Sequence, residues 1–266
     1  LSIYYKEKPE YFRECMESIY SQTVLPDEIV LVEDGRLTDE LYEAIRDYEC
    51  RPSEISFVTV KLEKNSGLGL ALAEGIKHCS NELVARMDTD DICVPDRFER
   101  QLNAFNQNKN LDVVGGYIAE FDVDKEHITA ERKVPLNHKE IVSYQRKRDG
   151  LNHVSVMFKR RSVLESGNYK SCLLMEDSLL WANMIKNHCH MANLDKVLVY
   201  VRTGEDMLKR RGGFDYFLKY REGRKTILRT GTISKSDYFI TVAAQFVVCM
   251  MPLWMRSLVF KKILRN

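Results

Sequence analysis

Three carboxylates fall within four positions, Asp88-Thr89-Asp90-Asp91, directly after the apolar run of residues 83–87. Carboxylates this close repel one another unless a cation or a hydrogen-bonding ligand lies among them, and Mg²⁺ or Mn²⁺ with a diphosphate suits such oxygens. The same residues would also serve as a solvated acidic turn capping the helix that begins near Pro95. A second acidic pair, Glu33-Asp34, follows the apolar run Ile29-Val30-Leu31-Val32. A third, Glu176-Asp177, opens a helical pattern, where the positive end of the helix dipole favours an ionised carboxylate. That placement fits a general base, and it equally fits ordinary first-turn residues. His153 stands on an apolar run, where a lone histidine is more often a satisfied core residue than a catalytic one. Arg210-Arg211-Gly212-Gly213 suits phosphate, because arginine binds it bidentately and glycine lets the backbone approach closely. An exposed basic helix start would read the same way.

These groups need elements to hold them. Strand-length apolar runs alternate with amphipathic helical ones through about the first 120 residues. The pattern gives strand 1–5, helix 9–22, strand 29–32, helix 38–48, strand 55–62, helix 67–79, strand 83–87 and helix 95–105. The first strand reads as a stub, short of a few residues. Repeated β-α order implies an α/β fold with a mostly parallel, Rossmann-like sheet and helices on both faces. Ligands bind beyond the carboxyl ends of such strands. Glu33-Asp34 and Asp88 to Asp91 occupy two of those ends. Further along, strands are expected at 113–121, 153–158 and 196–201, with helices at 138–147 and 176–186.

The order and spacing of several segments carry a resemblance. They are Ser21-Gln22-Thr23, Pro26 to Gly35, Asn65-Ser66-Gly67-Leu68, Met87 to Ile92 with Pro95-Asp96-Arg97, Asn152 to Met157, and Met175-Glu176-Asp177 before Leu180-Trp181. Together they resemble the family 2 glycosyltransferases of the GT-A fold over residues 1–202. That resemblance implies an inverting transfer of a sugar from a nucleoside-diphosphate donor to an acceptor hydroxyl. It places Ser2, Tyr4 and Asp34 at the nucleobase pocket, with Asp34 accepting from the uracil N–H. It sets Asp88 toward the ribose and diphosphate, and makes Asp90 the ligand of Mn²⁺ or Mg²⁺. Asp91 is the weaker candidate, as suited to fixing the loop as to touching the donor. An inverting displacement needs a base opposite the leaving group, and the resemblance selects Asp177. Gly67-Leu68-Gly69 lacks the spacing of a dinucleotide fingerprint. Many relatives carry an arginine in the helix that follows, where this chain has Leu70, Ala71 and Leu72.

Residues 203–266 differ in character. The stretch 238–255 holds no charged residue, but Thr241, Gln245 and Pro252 argue against a span. Over residues 253–265 apolar side chains alternate with Arg256, Lys261, Lys262 and Arg265, as in a helix lying in the headgroup plane of an anionic leaflet. The chain as a whole has 266 residues, 40 basic and 39 acidic side chains and a net charge of +1, which speaks against a nucleic-acid partner. The first 200 residues hold 26 basic and 34 acidic side chains, and the last 66 hold 14 and 5. Near-neutrality thus conceals an acidic part and a basic, apolar tail. Seven cysteines without a CxxC pair indicate neither a disulfide framework nor a zinc site and fit a reducing compartment.

The expectation is therefore a metal-dependent hexosyltransferase, peripheral on the inner, cytoplasmic face of the cell membrane. It would move glucose or galactose from a UDP-sugar donor to a polyprenyl-diphosphate-linked saccharide acceptor of O-antigen or capsule. An aspartyl phosphohydrolase would carry its DxD after the first strand, whereas here the motif follows the fourth. A non-catalytic sugar-nucleotide-binding or scaffold protein of the same fold is the alternative.

Overall fold

The computed structural model describes residues 1–203 and 211–259. The first half alternates strand and helix: β1 (Ser2–Ile3), α1 (Pro9–Tyr20), β2 (Glu28–Glu33), α2 (Asp39–Glu49), β3 (Ser56–Lys61), α3 (Leu68–His78) and β4 (Leu83–Ala85). Then come β5 (Ile92–Cys93), α4 (Arg97–Gln107), β6 (Leu111–Phe121), β7 (Ile128–Arg132) and α5 (His138–Gln145). A 3-10 turn (His153–Ser155), β8 (Met157–Lys159), α6 (Arg160–Glu165), α7 (Glu176–Lys186) and β9 (His190–Arg202) complete the α/β part. The tail forms α8 (Phe214–Thr230), α9 (Lys235–Met250) and α10 (Leu253–Val259).

Local chemistry sets the helix starts. Pro9 opens α1 with its φ already helical and no N–H to satisfy. The Thr38 hydroxyl accepts from the Leu41 amide, and the Asn137 side chain from the Glu140 amide. Ser234 and Asp237 cap α9 reciprocally, each side chain accepting from the other's backbone N–H.

Strands β1, β2 and β3 pair in parallel, with Ser2 opposite Val32 and Ile3 opposite Glu33. The unbroken apolar run of β2 fits a strand covered on both faces. A second sheet, in the order β4-β8-β6-β9-β5 with β7 beside β6, is mixed: β6 and β9 run parallel and the other pairs antiparallel. Phe12, Leu31, Leu41 and Ile45 lie in the largest core cluster, and Trp181 sits at 0% exposure in another with Ile141, Leu151 and Phe158. On α7, Leu179 and Ala182 pack against Ile227 of α8 and Ile233 just beyond it. The tail is thus seated on the helix that begins with Glu176-Asp177.

The expected strand at 153–158 is corrected: His153 to Ser155 form the 3-10 turn, and the strand starts at Met157. Side chains outcompete the ladder here. Ser155 Oγ donates to the carbonyls of Gly116 and Asn152 at 3.1 and 2.8 Å, and Asn152 Nδ2 donates to the Gly116 carbonyl at 2.8 Å. The expected helix at 95–105 begins only at Arg97, because residues 92–93 pair with β9 and carry the chain past the acidic loop.

Candidate active site

The acidic loop leaves the carboxyl end of β4. One carboxylate oxygen from each of Asp88, Asp90 and Asp91 lies within 4.8 Å of the others. Each is held differently. Both guanidinium ends of Arg86 donate to Asp88, one at 2.6 Å, and Arg86 itself is only 5% exposed. Asp91 is buried and accepts from the Arg202 amide at 2.9 Å, which ties the loop to β9. Between them Thr89 Oγ1 donates to Glu7 Oε2 at 2.7 Å. Burial first, and then Asp88 and Glu7, push Asp90 up to about 7. Burial also drives Asp91 well above the usual carboxylate range, helped by Asp90 and Asp88. Negative charge crowded on converging oxygens and only partly offset by Arg86 is what a hard divalent cation relieves, so these residues fit Mg²⁺ or Mn²⁺.

The loop rests on a buried cation. Arg97, at 0% exposure, donates through Nη2 to the carbonyls of Arg86 (2.7 Å) and Val156 (3.2 Å). Its Nε reaches Gln101 Oε1 at 3.1 Å, and Gln101 Nε2 bonds the Val114 and Ser155 carbonyls. Gln22 donates to the Val94 carbonyl at 2.7 Å and accepts from the Phe98 amide at 3.1 Å. Several residues that carried the family resemblance therefore work as scaffolding beneath the acidic cluster.

Asp34 lies beyond β2, next to the end of β1. It is 3% exposed, and its two carboxylate oxygens accept from the amides of Ser66 (2.6 Å) and Gly67 (3.0 Å). Gly35 makes this approach possible: at φ +84° it adopts a conformation that favours glycine, and a Cβ there would stand 2.6 Å from the Asn65 amide nitrogen. Each oxygen of Asp34 retains lone-pair capacity for a further donor. Ser2 pairs with Val32 of β2, its carbonyl 3.5 Å from Thr89 Oγ1, while Tyr4 is 38% exposed. Ser2, Asp34 and the acidic loop thus gather at adjacent strand ends.

Asp177 occupies the first turn of α7, half-buried, with Oδ1 accepting from the Ser178 amide at 2.7 Å. Burial and then the nearby Asp149 carboxylate push it up to about 7, while the Ser178 amide and, less strongly, Arg86 oppose them. Arg86 therefore lies in the field of both Asp88 and Asp177. His153 Nε2 meets Tyr169 Oη at 2.7 Å with the Trp181 ring edge-on. Burial and Arg86 hold His153 well below its ordinary value, the state of a neutral core histidine. Arg210 lies outside the described residues; Arg211 is in the turn before α8.

Sequence reasoning missed Arg86, Arg202, Asp149 and Ser178. A signal existed for Arg86 alone, since residues two apart in extended chain share a face.

Comparison with known proteins then defines the class. Residues 2–167 match the model of glycosyl transferase family 2, and the chain belongs to that family; it is a glycosyltransferase. It is 42% identical over 236 residues to an uncharacterised glycosyltransferase of Haemophilus influenzae, covering 86% of each chain. With the amylovoran biosynthesis glycosyltransferase AmsE of Erwinia amylovora it shares 37% over 244 residues, 90% of each. With the Escherichia coli UDP-Gal:alpha-D-GlcNAc-diphosphoundecaprenol beta-1,3-galactosyltransferase it shares 32% over 266 residues, all of this chain and 95% of that one. Among solved structures, residues 1–349 of S. aureus TarS with UDP-GlcNAc superpose with a TM-score of 0.62 at 19% identity, covering 92% of this chain and 71% of that one. The chain spans less than half (45%) of the longer TarS structure. The Pyrobaculum calidifontis mannosyltransferase PcManGT with GDP-Man and Mn²⁺ gives 0.62 at 14% identity, covering 97% and 77%. These likenesses show the GT-A fold.

Proposed function

We propose that this glycosyltransferase moves a hexose, galactose or glucose, from a UDP-sugar to a hydroxyl of a polyprenyl-diphosphate-linked saccharide in cell-surface polysaccharide synthesis. The observation that carries it is the convergence of Asp88, Asp90 and Asp91 beside Ser2, next in the chain to Ile3, whose carbonyl accepts from the Asp34 amide. A nucleoside diphosphate needs both a base pocket and a cation site, and these strand ends offer candidates for each. Support for the donor and acceptor comes from the Escherichia coli relative's name, and for the cation from PcManGT crystallised with Mn²⁺.

In this account Ser2, Tyr4 and Asp34 receive the uracil, and Asp88 faces the ribose and diphosphate. A divalent cation held by Asp90 would supply positive charge to the departing diphosphate. Asp177 takes the proton of the acceptor hydroxyl as that oxygen forms its bond to the anomeric carbon. The bond from that carbon to the diphosphate breaks on the opposite face, its electron pair leaves with UDP, and the configuration inverts. An aspartate held near 7 is strong enough to accept that proton at neutral pH.

Chemistry then belongs to residues 1–202 and attachment to residues 203–266. Among the described residues no helix is long and apolar enough to cross a membrane. Phe239, Ile240, Val247 and Met250 on α9, with Leu253, Trp254 and Leu258 on α10, are exposed large apolar side chains. Such a surface suits the headgroup boundary of the inner leaflet of the cell membrane, where a lipid-linked acceptor resides.

The test is a panel of UDP-sugars with Mn²⁺ against GlcNAc-diphospho-lipid, following UDP release and product. Transfer that EDTA abolishes is expected. UDP binding without transfer would mark a non-catalytic sugar-nucleotide protein, and absence of UDP binding would sink both accounts.

A further inference from the structure

A second carboxylate stands behind the base. Asp149, after α5, accepts at Oδ1 from Gln145 Nε2 (2.7 Å) and from Ser178 Oγ (2.6 Å). Ser178 is 3% exposed, and its amide donates to Asp177 Oδ1 at 2.7 Å. One buried serine thus donates to two carboxylates, its hydroxyl to Asp149 and its amide to Asp177. The two come from segments 28 residues apart in sequence and meet only because α5 packs on α7.

We infer that Asp149 is a positioning residue for sugar transfer, acting on Asp177 through Ser178 and through the charge of its own carboxylate. This inference rests on Asp177 being the base. A negative charge fixed beside Asp177 disfavours its ionisation, so Asp177 keeps its proton to higher pH than it would alone. Among the described residues, the other ionisable groups facing Asp177 are Glu176 and Cys172 on its own segment, Tyr169 before it, Arg86 at the end of β4 and Tyr216 from α8. Arg86 opposes the effect of Asp149, but its guanidinium is already engaged by Asp88. Gln145 and Ser178 fix Asp149 in place, so its charge acts at a constant position. An ordinary aspartate is too weak a base at neutral pH to take much of an alcohol's proton in a transition state. Asp149 corrects that mismatch without touching the substrate.

The test reads the proton directly in the full chain with UDP and Mg²⁺, by carboxyl ¹³C NMR of protein labelled at aspartate Cγ. The signal missing from Asp177→Asn identifies the base. In Asp149→Asn, which keeps the side-chain oxygen that Ser178 and Gln145 use, its titration midpoint is expected to fall by ~1 pH unit. Asp149→Glu, which keeps the charge, restores the midpoint. The acid limb of kcat/KM for galactose transfer moves with it, whereas a purely structural role lowers the rate equally at every pH. An unmoved midpoint in Asp149→Asn overturns the inference. If Asp149→Asn fails to fold, Ser178→Ala serves: without the hydroxyl donor the Asp149 carboxylate is held by Gln145 alone and is no longer fixed beside Asp177, and the Asp177 midpoint falls; no change there is equally fatal. Normal transfer by Asp177→Asn would end the base assignment while leaving the NMR comparison to decide the pairing.

Discussion

Asp177→Asn is expected to abolish transfer and, at alkaline pH, to stabilise the protein. In the folded chain Asp177 is pushed up to about 7, from an ordinary 3.8. Well below pH 4 it is protonated whether folded or unfolded, and burial carries no penalty. Between pH 4 and 7 the folded chain keeps the proton that the unfolded chain releases, so stability falls as pH rises. Above 7 the full penalty is present, at most ~4 kcal/mol for a displacement of about three pH units. Asp177 is only half-buried, so solvent screening reduces this to roughly 1–2 kcal/mol. Asparagine keeps the oxygen that accepts from the Ser178 amide and never ionises. Its melting temperature should therefore exceed that of the wild type by roughly 2–8 °C at pH 8. At pH 5 the gain should shrink to about a third of that, because only about a third of the displacement has been crossed. Scanning calorimetry of both proteins at the two pH values is the assay. An equal shift at both, or a loss at pH 8, would refute the reasoning that the protein holds its base against its electrostatic preference.

Arg86→Met strips the counter-ion from Asp88, which is 35% exposed and can rehydrate, so a loss of ~2 kcal/mol is expected rather than that of a fully buried pair. Thermal melts check it, and an unchanged midpoint would remove the ion pair from the account. Gly35→Ala forces a Cβ against the Asn65 amide in a left-handed conformation, for a cost of ~2–3 kcal/mol. The displaced Ser66-Gly67 amides should weaken UDP binding, and titration with full affinity would contradict the role given to Asp34. Phe239→Glu with Val247→Glu places charge on the exposed face of α9 and should release the protein from anionic phosphatidylglycerol vesicles in a sedimentation assay. A double variant that still sediments would move attachment elsewhere. Substitution is a cleaner test than deleting the tail, because α9 holds Arg146 through Asp237 at 2.7 Å and packs on α8.

The sequence is most informative where chemistry is local. Asp34 and Asp88 are legible because each ends an apolar run, and Asp177 because it opens a helical pattern. The helix starts at Pro9 and Thr38 are legible for the same reason, each marked by a capping residue or a proline. The turn at His153 is not, since its apolar residues mimic a strand and only the contacts of Asn152 and Ser155 with distant Gly116 show otherwise. Nor does any local pattern join Asp149 to Ser178, 29 residues on, or β6 to β9. The seating of α8 on α7 is hidden likewise: hydrophobicity marks the tail as apolar but not which of its faces is spoken for.

The central claim is that the carboxylates of Asp88, Asp90 and Asp91 gather a cation and a nucleoside diphosphate at the strand ends. Isothermal titration of UDP into the full chain with Mn²⁺, and again in EDTA, tests it most directly, with Asp90→Ala as the partner experiment. Binding that requires Mn²⁺ and disappears in Asp90→Ala is the result this account expects. UDP bound equally well in EDTA, or undiminished by Asp90→Ala, would contradict it.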